Sequence, residues 1–182
     1  AALRRSGAKT GDRIYVTGTL GDAAVALQQR LGKQRLSEDD FAVMVDRLDR
    51  PTPRVREGMA LRGIATSAID ISDGLLADLG HILELSQAGA RIFLDKIPVS
   101  PVCRAHIKKF GWEVALAMGD DYELCVTVPP QNIGPLEKLQ FACGLHCIGE
   151  IESEPGLRIV DESGGPYRPT FTGHDHFAEN KK

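Results

Sequence analysis

The sequence predicts an α+β fold, a mixed β-sheet layered with helices. Two observations point there: short β-branched segments alternate with stretches of helical apolar spacing, and the last part of the chain reads as strands around a hairpin turn. Alternation that ends this way fits a mixed sheet better than a purely parallel, doubly wound one.

The elements follow in order. Asp12 to Gly18 is a strand of β-branched and aromatic residues stopped by glycine, and the helix formers after it end at Gly32, suited to a C-terminal cap. Ser37, with Asp40 three positions on, resembles a capping box, and Phe41, Met44, Val45 and Leu48 keep helical spacing up to Pro51. A helix entered at Pro53 would bury Val55, Met59 and Ala60 and close at Gly63. Ala65 to Ile71 is a buried strand; Leu75, Leu76, Leu79, Ile82 and Leu83 form a helical stripe, with Gly89 near its end. Strand ARIFLD follows, then a weaker helix over Val102 to Lys109, and WEVALAM fits either a helix or a buried segment. YELCVTV is a strand stopped by Pro129 and Pro130. Leu136, Leu139 and Phe141 suggest a further helix, then HCIGEI and LRIVD are strands, with SGGP turning into YRPTF.

Composition bounds the function. The 182 residues, 42% hydrophobic and 26% charged, fit one domain spanning 1–182 with a real core. A net charge of -3 gives no electrostatic footprint of a nucleic-acid binder. No apolar run approaches the roughly 18 residues of a membrane span, so no membrane partner and a cytoplasmic location are expected. Four cysteines are too few for a disulfide scaffold and read as reduced thiols. The start at Ala1 suggests a cut point with something missing upstream.

One stretch, SAIDISDGLLADLGHI, carries the sharpest chemical signal. Ser72 or Asp73 can cap the helix that follows, where the dipole also favours a negative charge. Capping leaves Asp70 unexplained, because two neighbouring carboxylates repel unless a cation is present. Two carboxylates beside a hydroxyl also suit Mg²⁺ on a nucleotide phosphate, which needs few hard oxygen ligands from protein. Both readings stand at this level. GTLGD lacks the spacing of a phosphate-binding loop and reads as a tight turn; Asp120 and Asp121 in MGDDYEL read as turn residues. The histidines of GHDHF read as surface or packing residues and the cysteines of CGLHC as packing residues, rather than as metal ligands.

Taken together, RSGAKTGDRIYVTGTLGDAA, RPTPRV, SAIDISDGLLADLGHI, GARIFLD, GDDYELCVTVP, CIGEI and GHDHF resemble, in sequence and order, the C-terminal portion of thiamine-monophosphate kinases. These belong to the superfamily of aminoimidazole ribonucleotide and selenophosphate synthetases. The resemblance implies the C-terminal domain of that fold, with the N-terminal domain of the parent absent. It implies Mg²⁺-dependent phosphoryl transfer from ATP to thiamine monophosphate, giving thiamine diphosphate. By position it makes Asp70 and Asp73 Mg²⁺ ligands, Arg5 and Ser72 ATP contacts, and Asp120 and His174 substrate contacts. Two departures stand out: Asp120 occupies a position where the family often has a longer glutamate, and His174 one where it has an aromatic residue. The parent would be a homodimer through the missing domain, and this portion alone inactive. Alternatives are another ATP-dependent synthetase of the superfamily, or a non-catalytic thiamine-phosphate-binding or dimerisation module.

Overall fold

The computed structural model describes residues 2–170. Seven strands form a single sheet: β1 (Arg13–Thr17), β2 (Ser67–Ile71), β3 (Gly89–Phe93), β4 (Glu123–Val128), β5 (Leu145–Glu152), β6 (Gly156–Val160) and β7 (Pro166–Tyr167). Their order is β2-β4-β1-β5-β3-β6-β7; β3 and β6 are parallel and every other neighbouring pair is antiparallel. The mixed sheet expected from the sequence is what forms.

Alternation along the strands separates two cores. Ile14 and Val16 of β1, Ile69 and Ile71 of β2, Cys125 of β4 and Ile92 of β3 face one side. There they pack with helices α1 (Asp22–Arg30), α2 (Glu38–Asp49), α4 (Leu75–Ser86), α5 (Pro101–Phe110) and α6 (Glu113–Leu116). Tyr15, Ala68, Leu124, Val126 and Val128 face the other side, against Leu61 after α3 (Val55–Ala60) and Leu136 in α7 (Ile133–Glu137). Farther along the sheet, Arg13 pairs with Glu150, and Glu152 with both Arg91 and Arg158.

Local signals mostly decide where elements begin. Ser37 caps α2 through a bond from the Asp40 N–H, and Ser100 caps α5 through one from Cys103 N–H. Gly89 lies near the end of α4 as expected, but Gln87 takes the left-handed cap (φ 53), and Gly89 opens β3, where a Cβ would lie 1.7 Å from the Glu154 carbonyl oxygen. Two expectations fail. Leu139 and Phe141 lie beyond the short α7, which stops at Glu137, yet still pack on the smaller core. Val55 and Met59 are each 63% exposed and Ala60 is half-buried, so α3 has no buried face. That helix, six residues long, is anchored instead by Arg54 at its N-terminal boundary, bound to a buried carboxylate.

Candidate functional site

The strand ends that carry the acidic motifs meet at one edge of the sheet. Asp70 stands on β2 opposite Leu124 of β4, exposed, between buried Ile69 and Ile71. The chain then turns through Ser72, Asp73 and Gly74 into α4. Two backbone hydrogen bonds hold this turn against the segment before β4: Asp120 N–H donates to the Ser72 carbonyl (3.0 Å) and Tyr122 N–H to the Ile71 carbonyl (2.8 Å). The approach is tight enough to require glycine. A Cβ on Gly119 would sit 1.8 Å from the Ser72 carbonyl oxygen, and one on Gly74 (φ 115) 2.9 Å from the Ala117 carbonyl carbon. Asp120 and Tyr122 both take positive φ (68 and 50), a conformation uncommon for residues with side chains.

The expected cap does not form. The residue bounding α4 is Gly74, which has no side chain, and no side chain caps the helix. The Asp78 carboxylate, inside the first turn of α4, accepts from the Ser72 N–H (2.9 Å) and the Asp73 N–H (3.0 Å). Burial pushes the Asp78 carboxyl above its ordinary pKa, and the charges of Asp73 and Asp70 push the same way, against the two N–H bonds. Asp70, Asp73 and Asp78 therefore share one negative field.

Arg5 reaches this edge along an anchored N-terminal segment. Ala68 N–H donates to the Arg4 carbonyl (2.8 Å), and the Gly7 and Ala8 N–H groups donate to Ser86 Oγ (3.2 Å each). Arg5 and Asp70 line one open groove of about 590 Å³, walled by Leu3, Val55, Met59 and Leu124. Five of the six expected site residues are thus described: Arg5 and Asp70 share a groove, and Ser72, Asp73 and Asp120 meet through their backbones. His174 lies outside the described residues.

Behind this edge is a charge cluster that sequence reasoning missed. Glu123, fully buried, accepts from Arg54 Nε and Nη2 (2.7 and 2.6 Å), Arg47 Nη2 (2.7 Å) and Thr17 Oγ1 (2.6 Å). Burial alone would raise its pKa, but these hydrogen bonds outweigh burial and hold it below the usual glutamate value. Asp121, also buried, accepts from the Gly21 N–H with both oxygens (2.9 and 3.0 Å), and burial pushes its pKa well above the ordinary value. The N-terminal amide of α1 is therefore occupied by the protein's own carboxylate, and GTLGD is the tight turn expected. In that turn a Cβ on Gly18 would collide with the Glu123 carboxylate (2.1 Å). The available signal was weak: an acid at the head of a strand demands a cation if buried, but nothing in the sequence links position 123 to 47 and 54.

The cysteines divide. Cys103 and Cys125 are buried packing residues, whereas Cys143 is half-buried and Cys147 exposed, which corrects the packing assignment for Cys147. Among the described residues no group of three or more His, Cys, Asp or Glu side chains could hold a metal ion. Asp70 and Asp73 are thus at most a partial ligand set within the described residues.

Residues 9–162 match the family model of the AIR synthase related protein, C-terminal domain. The chain belongs to that family. It is 45% identical over 184 residues to thiamine-monophosphate kinase of Salmonella typhimurium, covering 97% of this chain and 56% of that protein. It is also similar to the crystal structure of thiamine-monophosphate kinase from Stenotrophomonas maltophilia (TM-score 0.78, 41% identity, 86% of this chain, 52% of that one). A further match is AaThiL complexed with AMPPCP and TMP (TM-score 0.78, 31% identity, 96% of this chain, 54% of that one). The chain spans about half the length of the relatives it matches.

Proposed function

We propose that this chain is the C-terminal part of a thiamine-monophosphate kinase, which moves the terminal phosphoryl group of ATP onto the phosphate of thiamine monophosphate. The observation that carries this is the SAIDISDG edge. Asp70 stands exposed beside Asp73 with no described residue pairing its carboxylate, on a backbone locked in place, in a chain 45% identical to such kinases. A neighbour of the same fold is described with AMPPCP and TMP.

The donor set fits Mg²⁺ as part of a site. Two carboxylates supply hard oxygen ligands, and Mg²⁺ usually completes its shell with water and substrate phosphate. Asp70 and Asp73 would hold it, and when bound it supplies neutralisation of phosphate charge. The chain's own residues do the rest. Arg5 is placed to meet the nucleotide's negative charge, and the Ser72 hydroxyl to donate to a phosphate oxygen. The Asp120 carboxylate complements the positive thiazolium ring, with His174 in a substrate-contacting position by family resemblance. No general base is required: a phosphate monoester has a second pKa of about 6, so the attacking oxygen is largely ionised at neutral pH. Catalysis then reduces to alignment and charge compensation.

The reading extends to the parts outside this chain. The relatives are nearly twice as long, so the upstream domain would complete the metal site and form the homodimer, and this portion alone would be inactive. A cytoplasmic protein without nucleic-acid or membrane partners is in keeping with its charge, and no helix among the described residues is long and apolar enough to cross a membrane.

Asp70→Asn and Asp73→Asn, made in the full-length enzyme, test this function. Mg²⁺·nucleotide affinity should fall at least about tenfold in each while the melting temperature stays put. Unchanged nucleotide binding with an equal loss of thermal stability in both would leave these residues a purely structural role. Turnover with aminoimidazole precursor or selenide in place of thiamine monophosphate would move the assignment to a synthetase. Binding of thiamine phosphate without turnover by the full-length protein would make it a binding module.

A further inference from the structure

Asp78 stands outside every set of residues assigned above to nucleotide, metal or substrate. We propose that Asp78 is a positioning residue, whose carboxylate fixes the direction in which Ser72 presents its hydroxyl to a nucleotide phosphate and Asp73 its carboxylate to the accompanying Mg²⁺. The inference rests on the kinase reading of that edge.

One peptide unit carries the argument. The plane joining Ser72 to Asp73 has two polar edges, and both are taken by the protein. Its carbonyl accepts from the Asp120 N–H at 3.0 Å, and its N–H donates to Asp78 Oδ2 at 3.0 Å. The same Asp78 oxygen accepts from the preceding N–H, that of Ser72, at 2.9 Å. With both edges bound, the plane cannot rotate without breaking a hydrogen bond.

Asp78 is placed for this by the helix. Its own N–H makes the first helical bond, to the Gly74 carbonyl at 3.0 Å, so its carboxylate points back over the turn that leads into α4. At 2% exposure it cannot reach a ligand in solution, which rules out direct contact with substrate. An N-cap side chain would answer amides inside the first turn of α4, not these two, which precede the boundary. Here Gly74 occupies the boundary, and the answering carboxylate comes from within the helix. A buried carboxylate that orients neighbouring ligands while remaining outside the reacting groups is how outer-shell residues tune a metal or phosphate site. Side chains on a loop otherwise free to turn would have to be ordered on every binding event.

The test compares Asp78→Ala, which removes the acceptor, with Asp78→Asn, which keeps an acceptor oxygen of the same reach. In the 182-residue chain, amide hydrogen exchange at Ser72 and Asp73 should quicken about tenfold in the alanine variant, with Ile69 and Leu79 unchanged. Asp78→Asn should restore protection. Titration with Mg²⁺·AMPPCP, by calorimetry, should show affinity about tenfold weaker for Asp78→Ala and nearly unchanged for Asp78→Asn. Unaltered exchange at both amides overturns the proposal, as does loosened exchange with unaltered affinity, or an asparagine variant that behaves like alanine. Exchange quickened throughout the chain would make Asp78 a global stability residue and also overturn it. If the unmodified chain does not bind Mg²⁺·AMPPCP, the titration is repeated in the full-length enzyme. Absence of binding there sinks the kinase reading, and the proposal with it.

Discussion

Two pairs of carboxylates flank neighbouring strand ends, and the protein treats them in opposite ways. Asp121 and Glu123 are buried and answered from inside: Glu123 by two arginines and a threonine, Asp121 by a backbone amide. Asp70 is exposed, Asp73 is half-buried, and no described residue pairs with the Asp70 carboxylate. Burial forces the chain to supply a partner because an uncompensated buried charge is intolerable; exposure leaves the partner to come from solvent. The first pair therefore builds the edge, whereas Asp70 is turned to solvent.

The largest effect that would sharpen this contrast is at Glu123. Replacing it with Gln leaves Arg54, only 11% exposed, and Arg47 without their carboxylate, and should cost about 3 kcal/mol in urea unfolding. The pH dependence carries the same information. The folded-state pKa of Glu123 is depressed, so its stabilisation is present above the unfolded value of about 4.3 and is lost as pH falls through the folded one. Glu123→Gln should flatten that acid limb.

A smaller effect of opposite sign is expected at Asp121. Its folded-state pKa is raised by burial, so its contribution is fully present below the unfolded value of about 3.9 and declines as pH rises through the folded one. Asp121→Asn, which still offers an acceptor to Gly21, should be at least as stable as the unaltered protein at pH 7, by about 1 kcal/mol, with the gap closing toward pH 4. A loss of stability at pH 7 would mean that the ionised carboxylate is needed, and would break the contrast from the buried side.

The smallest effects belong to the open edge. Asp70→Asn should shift unfolding by less than about 0.5 kcal/mol, and so should Met59→Ser on the exposed face of α3. A loss of about 2 kcal/mol at Asp70 would show that it is structural after all.

The same contrast explains what could be read in advance. Strands and most helices were legible because their signals are local: β-branched runs in β1 and β4, Ser37 as a cap, the leucine stripe of α4. Asp70 was legible as unusual because no local motif needs it. The absence of a side-chain cap was not. Ser72 and Asp73 stood in the right place to cap α4, but the boundary falls on Gly74, at a φ open to glycine, with the turn pressed against Gly119 and Asp78 accepting from the amides before the boundary. The burial expected for Val55 and Met59 failed likewise, because periodicity says that a stripe exists and not that anything covers it.

By itself the sequence determined the element order, the acidic turn after β2, and the family whose motifs run through nearly the whole chain. These depend on residue types at fixed spacings, which local backbone preference and side-chain chemistry can express. Only the tertiary structure decided which carboxylates are internal. Glu123 meets Arg47 and Arg54, Asp121 meets Gly21, and Asp120 meets Ser72 because the sheet order sets β4 between β2 and β1. Such pairings join residues far apart in the chain, and whether a charge is buried depends on everything packed around it.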